Sequence, residues 1–193
     1  MNFETVSTEP RLYTDYKDNL VVGEDIYSVK SGYLNTPELV RIDRNGKEHL
    51  VSRFAAQAGR LQWSDYFRRI YWSESIPDAR WSMKTDSKIR YIEEGGSRKK
   101  TLKGKRLLHN PAIYAGDSFM AAAEYNVDGS TALTIVGGLN GRILESVQAP
   151  DSLQLVETAW IGQDIYVTMI NGEGFGIWRY GDGKWTEVLG HEP

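Results

Sequence analysis

A chain of 193 residues, 40% of them hydrophobic, is long enough to bury roughly 70% of its unfolded surface, and a net charge of −3 gives it no general pull toward nucleic acid or anionic membrane. It contains no cysteine, which excludes disulfides, thiolate catalysis and cysteine-based zinc sites. No apolar run approaches the roughly 18 residues that cross a bilayer, and residues 1–10 lack the basic start and apolar core of a signal peptide.

In chain order, residues 1–14 read as a linker or frayed start. "DNLVVG" (18–23) predicts a first strand, "GEDIYSV" (23–29) a turn and a second, and "ELVRID" (38–43) a third. The Asn-Gly of "RNGK" (44–47) then predicts a hairpin, because both residues tolerate positive φ, and "EHLVS" (48–52) closes the unit. "VSRFAAQAGRL" (51–61) is the one helix candidate. The strand signals resume with "RRIYWSE" (68–74), "KIRYI" (88–92), the turn "EEGG" (93–96) and "KKTL" (99–102). They recur as "HNPAIYA" (109–115), "GDSFMAA" (116–122), "ALTIV" (132–136), "LNGR" (139–142) and "RILESV" (142–147). A last set runs through "VETAWI" (156–161), "GQDIYVT" (162–168), "FGIWRY" (175–180), "GDGK" (181–184) and "WTEVL" (185–189).

These signals keep register. Gly23 to Gly116 is 93 positions and Gly116 to Gly162 is 46, so a further copy falls near residue 69, where Ile70-Tyr71 takes the place of Ile26-Tyr27 without the glycine. Four copies of a four-stranded antiparallel unit with a period near 46 residues point to an all-β chain of β-propeller blades, at about 15–54, 55–105, 106–150 and 151–190. The competing arrangement is an ordinary sandwich or barrel with regular turns. Nothing after "WTEVL" is left to lace the last blade to the first, so a partial or open propeller is expected, with blade faces that invite self-association.

The pattern resembles the TolB-like (WD40-like) β-propeller repeat of bacteria, most clearly where "IYWSESIPDARWSMKTDSKIRYI" (70–92) leads into "GKRLLHNPAIYAGDSFMAAAEY" (104–125). The family's Ser-Pro-Asp-Gly turn is replaced by Tyr114-Ala115-Gly116-Asp117, and no Trp-Asp pair marks true WD40 blades. The resemblance implies a bacterial protein and favours the periplasm or cell envelope.

Candidate chemistry is sparse. "GDSF" invites a nucleophilic Ser118, but the repeat register aligns Ser118 with Asp25 and Asp164, and the C-terminal Asp-x-x-His that such an esterase needs is missing, with Asp182 nine positions from His191. The three histidines, His49, His109 and His191, are scattered, and no metal-ligand spacing occurs. Asp43, Asp117, Asp128 and Asp182 sit at turns, where an aspartate more often bonds its own backbone than calcium. The basic run "SRKKTLKGKR" (97–106) suits an edge strand protected against pairing, with an acidic or phosphate partner as the other reading. Blade two carries an insertion, "SESIPDARWSMKTDS" (73–87), whose Asp78, Arg80 and Trp81 combine an aromatic anchor with a planar cation. That loop is either a binding loop or a latch onto the neighbouring blade, and blade topology puts it on the face opposite the Gly116 turn.

The sequence therefore implies a non-catalytic binding or scaffold segment with a protein or glycan partner, no cofactor, no metal, no nucleic acid and no membrane insertion. The alternative is the accessory propeller of a prolyl-oligopeptidase-like serine hydrolase whose catalytic domain lies outside this chain.

Overall fold

The computed structural model describes residues 14–32, 35–54, 57–77, 85–104, 107–114, 118–150 and 152–192. Four antiparallel sheets follow one another along the chain. Blade one is β1 (Thr14–Val22), β2 (Asp25–Gly32), β3 (Asn35–Ile42) and β4 (Glu48–Arg53). Blade two has a first strand broken into β5 (Gln57–Ala58) and β6 (Gln62–Ser64), both paired to β7 (Arg69–Pro77), then β8 (Thr85–Glu93) and the short edge strand β9 (Lys100–Thr101). Blade three is β10 (Leu108–Ile113), β11 (Phe119–Tyr125), β12 (Thr131–Gly137) and β13 (Ile143–Gln148). Blade four is β14 (Gln154–Ile161), β15 (Asp164–Asn171), β16 (Gly174–Gly181) and β17 (Lys184–Glu192). No helix occurs among the described residues. The helical expectation for 51–61 fails because Phe54 and Leu61 are drawn into the core between blades one and two, while Gln57 and Ala58 pair with β7.

Pairing register shows why four unlike sequences make the same sheet. Ile26 opposite Ile42, Ile70 opposite Ile92, Met120 opposite Val136 and Ile165 opposite Tyr180 stand at one place in blades one to four. Side chains alternate across a strand, so this column lies on one face of each blade and the next residue on the other. In blades two, three and four it is the face turned to the preceding blade. The opposite face pairs Val29 with Leu39, Ser73 with Ile89, and Ala123 with Leu133, and packs against the following blade. Each joint thus has its own apolar core: Tyr27, Val29 and Leu39 under Ile70 and Trp72; Tyr71 and Ile89 under Met120 and Val136; Ala121 and Leu133 under Ile165 and Met169. The blades form an open arc.

This register corrects one alignment. Met120, paired with Val136, matches Ile165 and Ile26, so Phe119 rather than Ser118 stands where Asp25 and Asp164 stand. Met120 lies four positions after Gly116 in the sequence, whereas Ile26 and Ile165 lie three after Gly23 and Gly162.

Hydrogen bonds fix the joints. The Tyr71 hydroxyl donates to the Gly138 carbonyl at 2.8 Å in a buried contact. Asn110, at φ +45°, donates from Nδ2 to the Val156 carbonyl at 2.8 Å and accepts at its own carbonyl from Thr158 Oγ1 at 2.9 Å. Burial and a bond to Glu145 together push the Tyr180 hydroxyl pKa up to about 12. Lys99 of the basic run does more than guard an edge: it bridges Glu74 at 2.9 Å and the Arg53 carbonyl at 2.9 Å.

Turn chemistry also appears in the third blade, where Gly141 at φ +70° lies against the loop leaving blade two. A Cβ there would fall far inside van der Waals contact distance of the Lys103 carbonyl oxygen. Gly141→Ala is expected to cost about 2 kcal/mol, combining left-handed backbone strain with that clash. A chemical denaturation curve checks it, and an unchanged midpoint would mean that neither strain nor clash operates there.

Candidate functional site

The blade hairpins sort the loops onto two ends of the arc. The β6–β7, β10–β11 and β14–β15 turns share one end with the β3–β4, β8–β9 and β12–β13 turns, and the β7–β8 and β11–β12 links lie at the other. Asp78, Arg80 and Trp81 lie outside the described residues, as do Gly116 and Asp117. The residues that flank these two segments, Pro77 with Thr85 and Ile113 with Phe119, fall at opposite ends of the arc.

What the structure does bring together is a band of aromatic rings and guanidinium groups on the turn end. It begins in blade two. The Trp63 indole N–H donates to Asp65 Oδ1 at 2.7 Å, and the Arg68 guanidinium lies 5.3 Å from the Trp63 ring. Arg68, itself at φ +52°, is held by two bonds to Glu94 at 2.5 and 2.6 Å. Tyr66, 61% exposed, meets Phe67 edge-on at 4.8 Å. Arg69 lies 5.2 Å from Phe67 and 4.4 Å from Tyr91, so its cation is held between two ring faces. Phe67 covers Gly138, where a Cβ would approach its ring to 2.7 Å, so glycine is needed for this approach.

Gly138 carries the band onward. Its N–H donates to the Ser118 carbonyl at 2.7 Å. Beside Ser118, Phe119 stacks on Tyr114 at 5.0 Å with a 9° angle between planes. Trp160 from blade four meets both rings edge-on, at 4.7 Å and 5.8 Å, and its indole N–H donates to the Ala112 carbonyl at 3.1 Å. Trp63, Phe67, Tyr114, Phe119 and Trp160 are each half-buried. Rings fixed at their buried edges and open to solvent on one side offer apolar area with little rotamer entropy left to lose.

The histidines lie outside this band. His109, near the other end of blade three, stacks on Tyr125 at 4.3 Å and faces Ser75 Oγ at 3.3 Å through Nδ1. Burial pulls its pKa down to about 4. His49 is 3.0 Å from Asp43 in blade one, and that contact holds the Asp43 carboxyl below its usual range. Asp43 also caps its own turn by accepting from the Asn45 and Lys47 N–H groups, and Asp128 does the same with Ser130. A cleft of about 370 Å³ at the non-turn end is lined by Ser130, Thr131, Gln148, Pro150 and Gln154 among others, none of them titratable.

The aromatic band has one trace in the sequence. It is "QWSDYFRR" (62–69), which reads along the chain as a repeat lacking its glycine. The missing glycine marks a longer turn, Asp65 to Arg68, that presents two rings and a guanidinium.

No protein-family model matches the sequence, and no curated protein matches it. Solved structures do. The β-propeller domain of the trilobed protease from Pyrococcus furiosus, described as having an open velcro topology, superposes at TM-score 0.64 with 13% identity over 93% of this chain and 58% of its own. TolB from Acinetobacter baumannii gives TM-score 0.66 with 13% identity, over 88% of this chain and 42% of TolB. Pyrococcus horikoshii acylaminoacyl peptidase gives TM-score 0.61 with 11% identity, over 93% of this chain and 33% of the peptidase. The chain thus spans less than two thirds of each of these proteins. What they share with it is the blade architecture.

Proposed function

We propose that this chain, with its TolB-like β-propeller fold, is a non-catalytic recognition segment that binds an extended piece of a partner protein along the aromatic band. The observation that carries the reading is the continuity of Phe67, Gly138, Phe119 and Trp160 across three blades, flanked by Arg68 and Arg69. Trp, Tyr and Arg are the side chains that most often dominate protein interfaces. Guanidinium groups stacked on rings place donors for a peptide's carbonyl and carboxylate groups beside apolar ring faces. The likeness to TolB supports an envelope setting, which fractionation of the native cell tests directly.

The binding test uses peptides selected from a random phage-displayed library on the purified chain, with affinity read by fluorescence anisotropy. Tyr66→Ala removes an exposed ring and Phe119→Ala a central one. Each is expected to weaken binding about tenfold or more, equivalent to ~1.4 kcal/mol per decade. Selected peptides whose affinity ignores both substitutions would defeat the reading. Binding of glycans instead of peptides, lost in the same variants, would transfer the band to a sugar partner.

A second reading is favoured by the likeness to acylaminoacyl peptidase: an accessory propeller serving a serine hydrolase. A Gly-x-Ser-x-Gly elbow encoded downstream in the same gene would support it.

A further inference from the structure

The register that aligns the four blades also shows what the two end faces are built for. Blade four opens its second strand with Asp164-Ile165-Tyr166 and blade one with Asp25-Ile26-Tyr27. Tyr166 pairs with Arg179 as Tyr27 pairs with Arg41. Arg179 contacts Asp164 at 3.4 Å as Arg41 contacts Asp25 at 3.2 Å. One step along, Thr168 opposite Ile177 matches Val29 opposite Leu39. In blade one this module is covered by blade two: Tyr27 reaches the Gly95 backbone in the β8–β9 turn, and Leu39 is 0% exposed. In blade four the same module faces outward. Ile177 is 37% exposed, whereas Leu39, Ile89 and Leu133 at its place in the other blades are 0%, 3% and 1% exposed.

The other end of the arc shows the matching deficit. Ile26 is 40% exposed, and its counterparts Ile70, Met120 and Ile165 are 0%, 1% and 2% exposed. Val21, opposite Ile26, and Leu50, opposite Val40, extend this face and are also exposed. The charges beside them are paired. Glu48 accepts from the Tyr16 hydroxyl at 2.6 Å and from Lys30 at 2.6 Å, and Arg53 bonds Glu38 at 3.0 Å. Covering Lys30, Glu38, Glu48 and Arg53 therefore leaves each with its counter-charge. The joint between blades one and two already holds paired charge at this column, where Glu74 of blade two, bound to Arg90, stands in the place of Lys30.

We propose that the blade-four face docks on the blade-one face of a second copy of this chain, head to tail, repeating the internal joint. The two faces differ, so the contact is heterologous, and it either closes on itself or extends as a series. Both forms carry the same joint. A second copy is the fitting occupant because one molecule carries both halves of a blade joint, an outward Tyr-Arg-Asp module and an outward Ile column.

The test is solution mass by light scattering on the full chain over a micromolar to submillimolar range. Masses of two chains or more, rising with concentration from 21.9 kDa, are expected. A monomer throughout overturns the proposal and leaves the end faces to blades of a longer polypeptide. Ile26→Asp and Ile177→Asp alter side chains that are already solvent-exposed, so each variant is expected to keep its strand circular dichroism and become monomeric. An equimolar mixture of the two is expected to regain a two-chain species, because one intact head then meets one intact tail. If Ile26→Asp stays assembled while Ile177→Asp falls apart, blade four is packing on blade four and the head-to-tail joint is wrong.

Discussion

Replacing Glu74 with alanine is expected to lower stability by about 3 kcal/mol, read as a fall of roughly 6–12 °C in Tm for a chain of this size. The Glu74 side chain is fully buried, and its carboxylate bonds Arg90 Nε at 2.6 Å and Lys99 Nζ at 2.9 Å. The two cations keep 19% and 23% of their side-chain surface in contact with water. Deleting the anion leaves two like charges flanking a cavity in a joint where solvent reaches them poorly. Lys99 also bonds the Arg53 carbonyl, so the loss loosens the edge of blade two from the segment that leaves blade one. Glu74→Gln keeps a hydrogen-bond acceptor beside the cations and removes the charge, so it should lie between the parent and the alanine variant. A Glu74→Ala melting curve that overlays the parent would mean that the ion pairs contribute nothing net.

The second large effect is with acid. Unfolded His109 takes up its proton near pH 6.5, while the folded chain resists protonation until about 4 because burial penalises the cation. Between those values the unfolded state binds more protons, so stability falls as pH drops through this window and is fully retained above it. The accumulated loss below the window is roughly 3 kcal/mol, since each pH unit of the window contributes about 1.4 kcal/mol. Most carboxylates titrate lower, so the upper half of the window belongs to the histidine. His109→Phe preserves the ring stack on Tyr125 and should flatten the Tm-against-pH curve between about pH 5 and 6.5. If the variant shows the same slope as the parent there, another group causes the acid lability.

Much of the blade pattern is legible in the sequence because its signals are local. Asn45-Gly46 and Asp182-Gly183 announce their hairpins, with Gly46 at φ +76° and Gly183 at φ +71°. The Asp-Ile-Tyr triplets of blades one and four mark the start of the second strand and set which face each residue takes. Local signals fail where a neighbouring blade decides. Phe54, Ala58 and Leu61 are spaced like one face of a helix, yet Phe54 and Leu61 are buried because Trp72 and Ile70 lie beside them. Phe54 meets Trp72 edge-on at 5.7 Å, a contact between residues that no local propensity anticipates. The one-residue offset at Ser118 arises because glycines can be aligned by spacing, whereas only strand pairing fixes register. The aromatic band is harder still to read: Phe67, Phe119 and Trp160 come from three blades, and only the joints make them neighbours.

Each core in this molecule is made by two adjacent blades, and each blade meets water where it lacks a neighbour. Such a chain behaves as a one-dimensional lattice, in which stability is a sum over nearest-neighbour couplings rather than a property of one global core. Four blades have three couplings, so the terminal units are held by one each and the inner units by two. At concentrations where the chain is monomeric, amide exchange should therefore grade from both ends toward the middle, with the outer strands opening first. The same arithmetic gives lineages with this architecture an easy route to change: a duplication that inserts one blade adds one coupling without disturbing those already present.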